Sequence, residues 1–223
     1  MVRLVRLQRI GVCTIVGCLL GTLLAFPGSE AVAADASTWA MFLAIVPLDS
    51  AAIWHGWFEG QQRWQLASFD ASQTVLRTAI GRNLGSDADV WAGYAWVPVY
   101  RPRPRREHRL WQQAQWRIER FVLRFRSEER FYERAGGELR LRFQARATLH
   151  VGGVPVVLSD EVFAIAARWD RSTPLGYEQN RLQLRALLPL VESVRLELGY
   201  LHIHFRNGAM QHVARVSVVY QPR

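Results

Sequence analysis

The 223-residue chain carries 28 basic and 19 acidic side chains, a formal net charge of +9, and every basic residue is arginine. Such an excess would ordinarily raise nucleic acid or acidic lipid as a partner. Here most arginines lie two apart between apolar neighbours, which places them on one face of a sheet, excludes a loose cationic tail and argues against nucleic acid. Both cysteines, Cys13 and Cys18, fall near the start of the chain, so the remainder has no thiol chemistry and suits an oxidising compartment.

Arg3, Arg6 and Arg9 precede an apolar run from Ile10 to Phe26, then Pro27-Gly28-Ser29 and Ala31-Val32-Ala33. A basic start, an apolar middle, a helix breaker and small residues at a cleavage site predict a secretory signal peptide over 1–33. An uncleaved anchor is the alternative, disfavoured because the run is short for a membrane span. Ile15-Val16-Gly17-Cys18 has residue types suited to lipidation of Cys18, but the apolar Leu19–Phe26 that follows is unlike a polar tether. The rest, 34–223, is long enough for one domain.

In that domain Trp39–Pro47 is apolar without clear alternation, and the pattern alone does not separate a strand from an interfacial segment. Ten strand-like stretches follow, over 53–64, 73–83, 88–98, 107–118, 121–132, 137–148, 155–168, 177–188, 192–204 and 211–220. The clearest is Glu138–Val151. Leu139, Leu141, Phe143, Ala145, Ala147 and Leu149 alternate with Arg140, Arg142, Gln144, Arg146, Thr148 and His150. That is period-two patterning, sustained over a length that crosses a bilayer at a tilt. The apolar face fits lipid and the charged face fits a closed lumen. A one-residue slip would turn three arginines into lipid, at about 2–4 kcal/mol each near the midplane. Arg124, Arg126, Glu128 and Arg130 oppose Leu123 and Phe125 in the same way, with Glu129 as an exception expected near a strand end.

Short turns at 83–87, 119–120, 151–155 and 189–192 alternate with longer connections at 66–72, 98–106 and 168–176, as in outer-membrane barrels. Ten strands would put both chain ends on the periplasmic side. The loop arginines Arg101, Arg103, Arg105 and Arg106 would then reach lipopolysaccharide phosphates. In the last hairpin the polar face changes phase after Leu201, which predicts a β-bulge around Gly199–Leu201 with His202 and His204 turned inward. Asn207-Gly208 marks the hairpin turn.

The interior is expected to hold a structural or pore-lining charge network. Its members are Glu59, Arg63, Glu107, Arg109, Arg124, Arg126, Glu128, Arg130, Arg140, Arg142, Arg146, Asp160, Glu161, Arg181, Arg185, Arg195 and Glu197. Arginine buried without a partner is costly, so pairing is expected. His202-x-His204 lacks a third ligand for a metal. Ser159, Asp160, Glu161 and Ser217 form no recognisable nucleophile–base motif. No catalytic residue, metal or cofactor is therefore expected. The nine tryptophans read as aromatic girdles, with a sugar platform as the alternative.

Glu107-His-Arg-Leu-Trp-Gln-Gln113 and Tyr177-Glu-Gln-Asn-Arg181 resemble a bacterial family of unknown function whose members look like outer-membrane β-barrels with signal peptides. Trp91-Ala-Gly-Tyr94, the arginine-rich 124–130 segment and Asp160-Glu161 fit as well, and the resemblance spans about Trp54 to Tyr220. It implies a fold and a location and no activity. Barrel-assembly signals usually finish on an aromatic residue, whereas here Gln221-Pro222-Arg223 follow Tyr220. Together these readings predict an all-β, monomeric, antiparallel up-and-down transmembrane barrel of about ten strands, with twelve as the alternative. It would sit in the outer membrane of a Gram-negative bacterium, and its partners would be lipid, lipopolysaccharide and the barrel-assembly machinery. A structural or envelope-interaction role is expected. The alternatives are a narrow anion-selective pore, a small enzyme acting on lipid A or phospholipid, and a soluble periplasmic ligand-binding barrel.

Overall fold

The computed structural model describes residues 36–133, 136–169 and 174–222; the expected signal segment lies outside them. Eleven strands form one closed barrel, each hydrogen-bonded to its neighbours in chain order. They are β1 (Ala36–Pro47), β2 (Trp54–Gln65), β3 (Ala71–Leu84), β4 (Ala88–Val99), β5 (Arg105–Ile118), β6 (Phe121–Tyr132), β7 (Gly136–Val151), β8 (Val154–Arg168), β9 (Gly176–Val191), β10 (Val194–Phe205) and β11 (Met210–Tyr220). The strand count is eleven, not ten or twelve, because the ambiguous Trp39–Pro47 segment is a strand. Its failure to alternate has a plain cause. Trp39, Met41, Leu43 and Ile45 line the interior, while Phe42 is exposed outside, so both faces of β1 are apolar.

An odd number of alternating strands leaves the first and last running the same way. The barrel accordingly closes through a parallel pair, β1 with β11, from Ala36↔His212 to Ala44↔Tyr220. All other neighbours are antiparallel. Ala36 and Tyr220 therefore stand at opposite ends, which corrects the expectation that both lie at one end. The turns at 85–87, 119–120, 152–153 and 192–193 share one rim, hereafter the turn rim. The ends of the strands that the longer 66–70, 100–104 and 169–175 connections join lie at the opposite rim, the loop rim.

The predicted bulge at Gly199–Leu201 is absent. Pairing runs unbroken from Val194↔Tyr220 to His204↔Met210. Gly199 has another purpose: a Cβ there would meet Arg185 Cγ and Leu184 O at 2.8 Å, so the glycine leaves room for the neighbouring arginine. Without the bulge, Leu201, Ile203 and Val213 point inward and pack with Trp39 and Phe205. His202 pairs with His212 on the outside, ring centroids 5.2 Å apart. The phase change in the sequence thus records an apolar patch inside the loop end of the barrel, not a kink in the strand.

Register breaks occur elsewhere. One in β9, between Phe163↔Gln179 and Ala164↔Tyr177, inserts Glu178 as the extra residue. Such bulges re-aim side chains, and here both Glu178 and Gln179 line the interior. The outer surface carries exposed Phe58, Ile80, Leu110, Leu123, Phe143, Leu158, Leu182 and Val216. Glu129, on the outward face, lies close to the loop-rim end of β6, as expected.

Candidate functional site: an arginine-rich chamber inside the barrel

Inward alternation brings nearly all the expected network residues together. On β5 to β8 they form a dense ionic wall. Glu128, 1% exposed, accepts from Arg140 and, at 2.6 Å, from Arg142, with Arg126 at 3.7 Å and Arg109 at 3.8 Å. Glu107 takes Arg109 at 2.8 Å and also Arg130, which reaches on to Glu138. Glu161 takes Arg124 at 2.7 Å and Arg142 at 2.8 Å. The register sets Arg109 beside Arg130 and Arg126 beside Arg142. Adjacent like charges destabilise a sheet, and the interleaved carboxylates offset that. Glu178, placed by its bulge, adds contacts to Arg140 at 3.6 Å and Arg130 at 3.8 Å.

Three smaller clusters complete the pairing, one of them Asp89 with Arg117. Glu59 binds Arg77 at 2.6 Å. Glu197 binds Arg185 at 2.6 Å and Arg195 at 2.9 Å. Arg77, Asp89, Glu138, Glu178 and Arg215 were not among the expected members. Simple alternation would have found the first three and Arg215, while Glu178 depends on a bulge that no residue pattern announces. Asp160 is the clear misassignment. It is exposed on the outer face of β8 and accepts from Asn180 Nδ2 at 2.5 Å. As Glu161 faces inward, its chain neighbour must face outward.

Besides Arg105, exposed at the start of β5, four interior arginines stand apart, with no ion pair among the described residues. Arg63 donates to Gln61 and, at 2.6 Å, to Gln73 Oε1, and its guanidinium sits 3.8 Å from the Trp39 ring centre. Arg146 has only a long contact to Gln115, 3.4 Å. Arg215 donates to Ser217 Oγ and to Met41 Sδ, each at 3.1 Å. Arg181 makes no hydrogen bond among the described residues; it stacks 4.4 Å from Phe163 and 5.4 Å from Trp39.

The lumen is not uniformly polar. Trp57, Trp91 and Trp111 face inward with Val75, Ala79, Ala95 and Val97, and Trp39 joins the second apolar patch. Four of the nine tryptophans are thus interior residues. Trp54, Trp64, Trp96, Trp116 and Trp169 remain outside. His202 and His204 also face outward, contrary to expectation, and His204 lies 3.4 Å from Tyr177. Among the described residues no group of three potential ligands is placed to hold a metal. Of the loop arginines, Arg105 lines the interior, Arg101 pairs with Asp70 at 3.0 Å and Arg106 with Glu133 at 3.9 Å, while Arg103 is exposed.

Between the ionic wall and the opposite strands lies a cavity of about 620 Å³. Fifteen arginines and five carboxylates line it, and Glu107, Glu128 and Glu138 are buried behind them. Counting all three, the interior keeps a formal excess of seven positive charges. A barrel of this strand number is far narrower than the porins that hold a wide aqueous channel.

The chain belongs to a protein family of unknown function, DUF2490. The match covers residues 36–213, from the start of β1 to the first residues of β11. No curated protein matches the chain.

Proposed function

We propose that this DUF2490 protein is an integral outer-membrane barrel with a structural or envelope-interaction role, its interior largely closed by paired arginines and glutamates. One observation carries the reading: the barrel is built inside out. Large apolar side chains occupy its exterior, and ion pairs occupy its interior. A soluble ligand-binding barrel needs the reverse, whereas a lipid-embedded one needs this. Strands of 11 to 16 residues are long enough for the crossing. The closure supports the location too, because a closed barrel leaves no strand edge in hydrocarbon. At the loop rim, Arg103 and the partly paired Arg101 and Arg106 suit lipopolysaccharide phosphates. The mature protein should fractionate with outer membranes and run faster on gels unheated than boiled. Recovery as a soluble periplasmic protein without detergent would end this reading.

The arginine excess around the cavity favours a second reading, a narrow anion-selective passage. Planar-bilayer conductance separates the two. A filled lumen should conduct poorly. A large, steady current that prefers anions would promote the passage above the closed barrel.

A further inference from the structure

Of the four interior arginines without an ion pair, Arg146 lies on β7, and Arg63, Arg181 and Arg215 lie on β2, β9 and β11. Register places Arg181 directly beside Glu161, yet Glu161 is occupied by Arg124 and Arg142. Arg181 is left with aromatic faces only, and its buried Nε has no partner. Arg63 approaches the same Trp39 ring, so guanidiniums from β2 and β9 converge on one indole. The neighbouring inward residues of β9 share the deficit. Gln179 Oε1, Gln183 Nε2 and Arg185 Nε are likewise buried without partners. Gln179 and Gln183 are 4% and 6% exposed. Native proteins rarely leave such a run of buried polar atoms unsatisfied, and each instance calls for an explanation. An excess of positive charge within a lipid-embedded wall calls for counter-charge as well.

We propose that Arg63 and Arg181, which both approach the Trp39 indole, form a binding site for a soluble multivalent oxyanion of the phosphate type. The inference deepens the barrel reading above and rests on it. Guanidinium forks match the oxygen spacing of such anions and bind them bidentately. Gln183 Nε2 supplies a neutral donor, and the seven-charge excess favours more than one negative charge on the ligand. The cavity falls within the size range of small-molecule sites. The site lies on the inner face of the barrel, away from the apolar outer face that bilayer lipid would cover.

The test uses the full mature chain in detergent, restricted to protein that shows heat-modifiable mobility, so failure of the barrel reading is seen before any ligand is added. Inorganic phosphate and pyrophosphate are titrated calorimetrically against chloride at matched ionic strength. Saturable binding is expected for phosphate, tighter for pyrophosphate and absent for chloride. Arg181→Gln and, independently, Arg63→Gln should each weaken it about tenfold or more. Arg82→Gln should leave it unchanged, since Arg82 lies outside the barrel against Trp54. The proposal is overturned if both lumen variants bind as the wild type does, or if chloride reproduces the response. It is equally overturned if only vesicles of anionic lipid bind, with no response to free phosphate.

Discussion

The two sides of the lumen carry the same side chain in opposite circumstances. Along β5 to β8 nearly every arginine meets a carboxylate, and several carboxylates serve more than one arginine. Along β1, β2, β9 and β11, Arg63, Arg181 and Arg215 rest on aromatic rings, amides, a hydroxyl and a thioether. The difference lies in which residue types alternate with arginine on the inward row. Where glutamate alternates, as in Arg126-x-Glu128-x-Arg130, the wall neutralises itself. Where glutamine alternates, as in Gln179-x-Arg181-x-Gln183, positive charge is held without being cancelled. One side has the composition of a structural plug and the other that of a receptor for anions.

The sharpest way to break this comparison is at Glu128. Glu128→Gln keeps the shape and removes the charge that four guanidiniums approach within 4 Å. Removing one partner of a buried ionic cluster leaves uncompensated charge, which costs about 3–5 kcal/mol. Unfolding of the reconstituted barrel in urea should show a loss of that size, with the heat-modification temperature falling in parallel. A loss below about 1 kcal/mol, the range of an exposed pair, would mean the wall is wet and screened rather than a plug.

The fold was legible in the sequence because period-two alternation with arginine on one face admits few other structures. The ten alternating stretches correspond to β2 through β11. The missed strand and the misplaced bulge share one physical cause: inward positions that are apolar. β1 does not alternate because its inward Trp39, Met41, Leu43 and Ile45 are apolar like its outside. The inferred bulge near Gly199 arose from reading Leu201 and Ile203 as outward, although both are buried inside. The ionic network was legible at nearly all its expected positions, since alternation fixes direction. Asp160 failed because the strand pairs without a break there, so it cannot share the inward face with Glu161. The unpaired state of Arg181 was not legible at all, because it depends on two other strands competing for Glu161.

That unpaired state sets the smallest expected effect and the finest edge of the comparison. Arg181→Met conserves much of the side-chain length and keeps apolar contact with Phe163 and Trp39. It forfeits cation–π attraction, worth about 0.5–2 kcal/mol. It also relieves the burial of a charge that has no carboxylate partner among the described residues, an opposing gain of similar order. The two nearly cancel, so stability in phosphate-free buffer should change by about 1 kcal/mol or less, in either direction. The same substitution at Arg142, which binds both Glu128 and Glu161, would take a shared partner from two buried carboxylates and has no such offset. Adding phosphate sharpens the contrast. A ligand that binds only the folded state raises its stability, so phosphate should stabilise the wild type and leave Arg181→Met where it was. If Arg181→Met instead proved as damaging as Glu128→Gln, Arg181 would belong to the plug, and the two sides of the lumen would differ in sequence but not in kind.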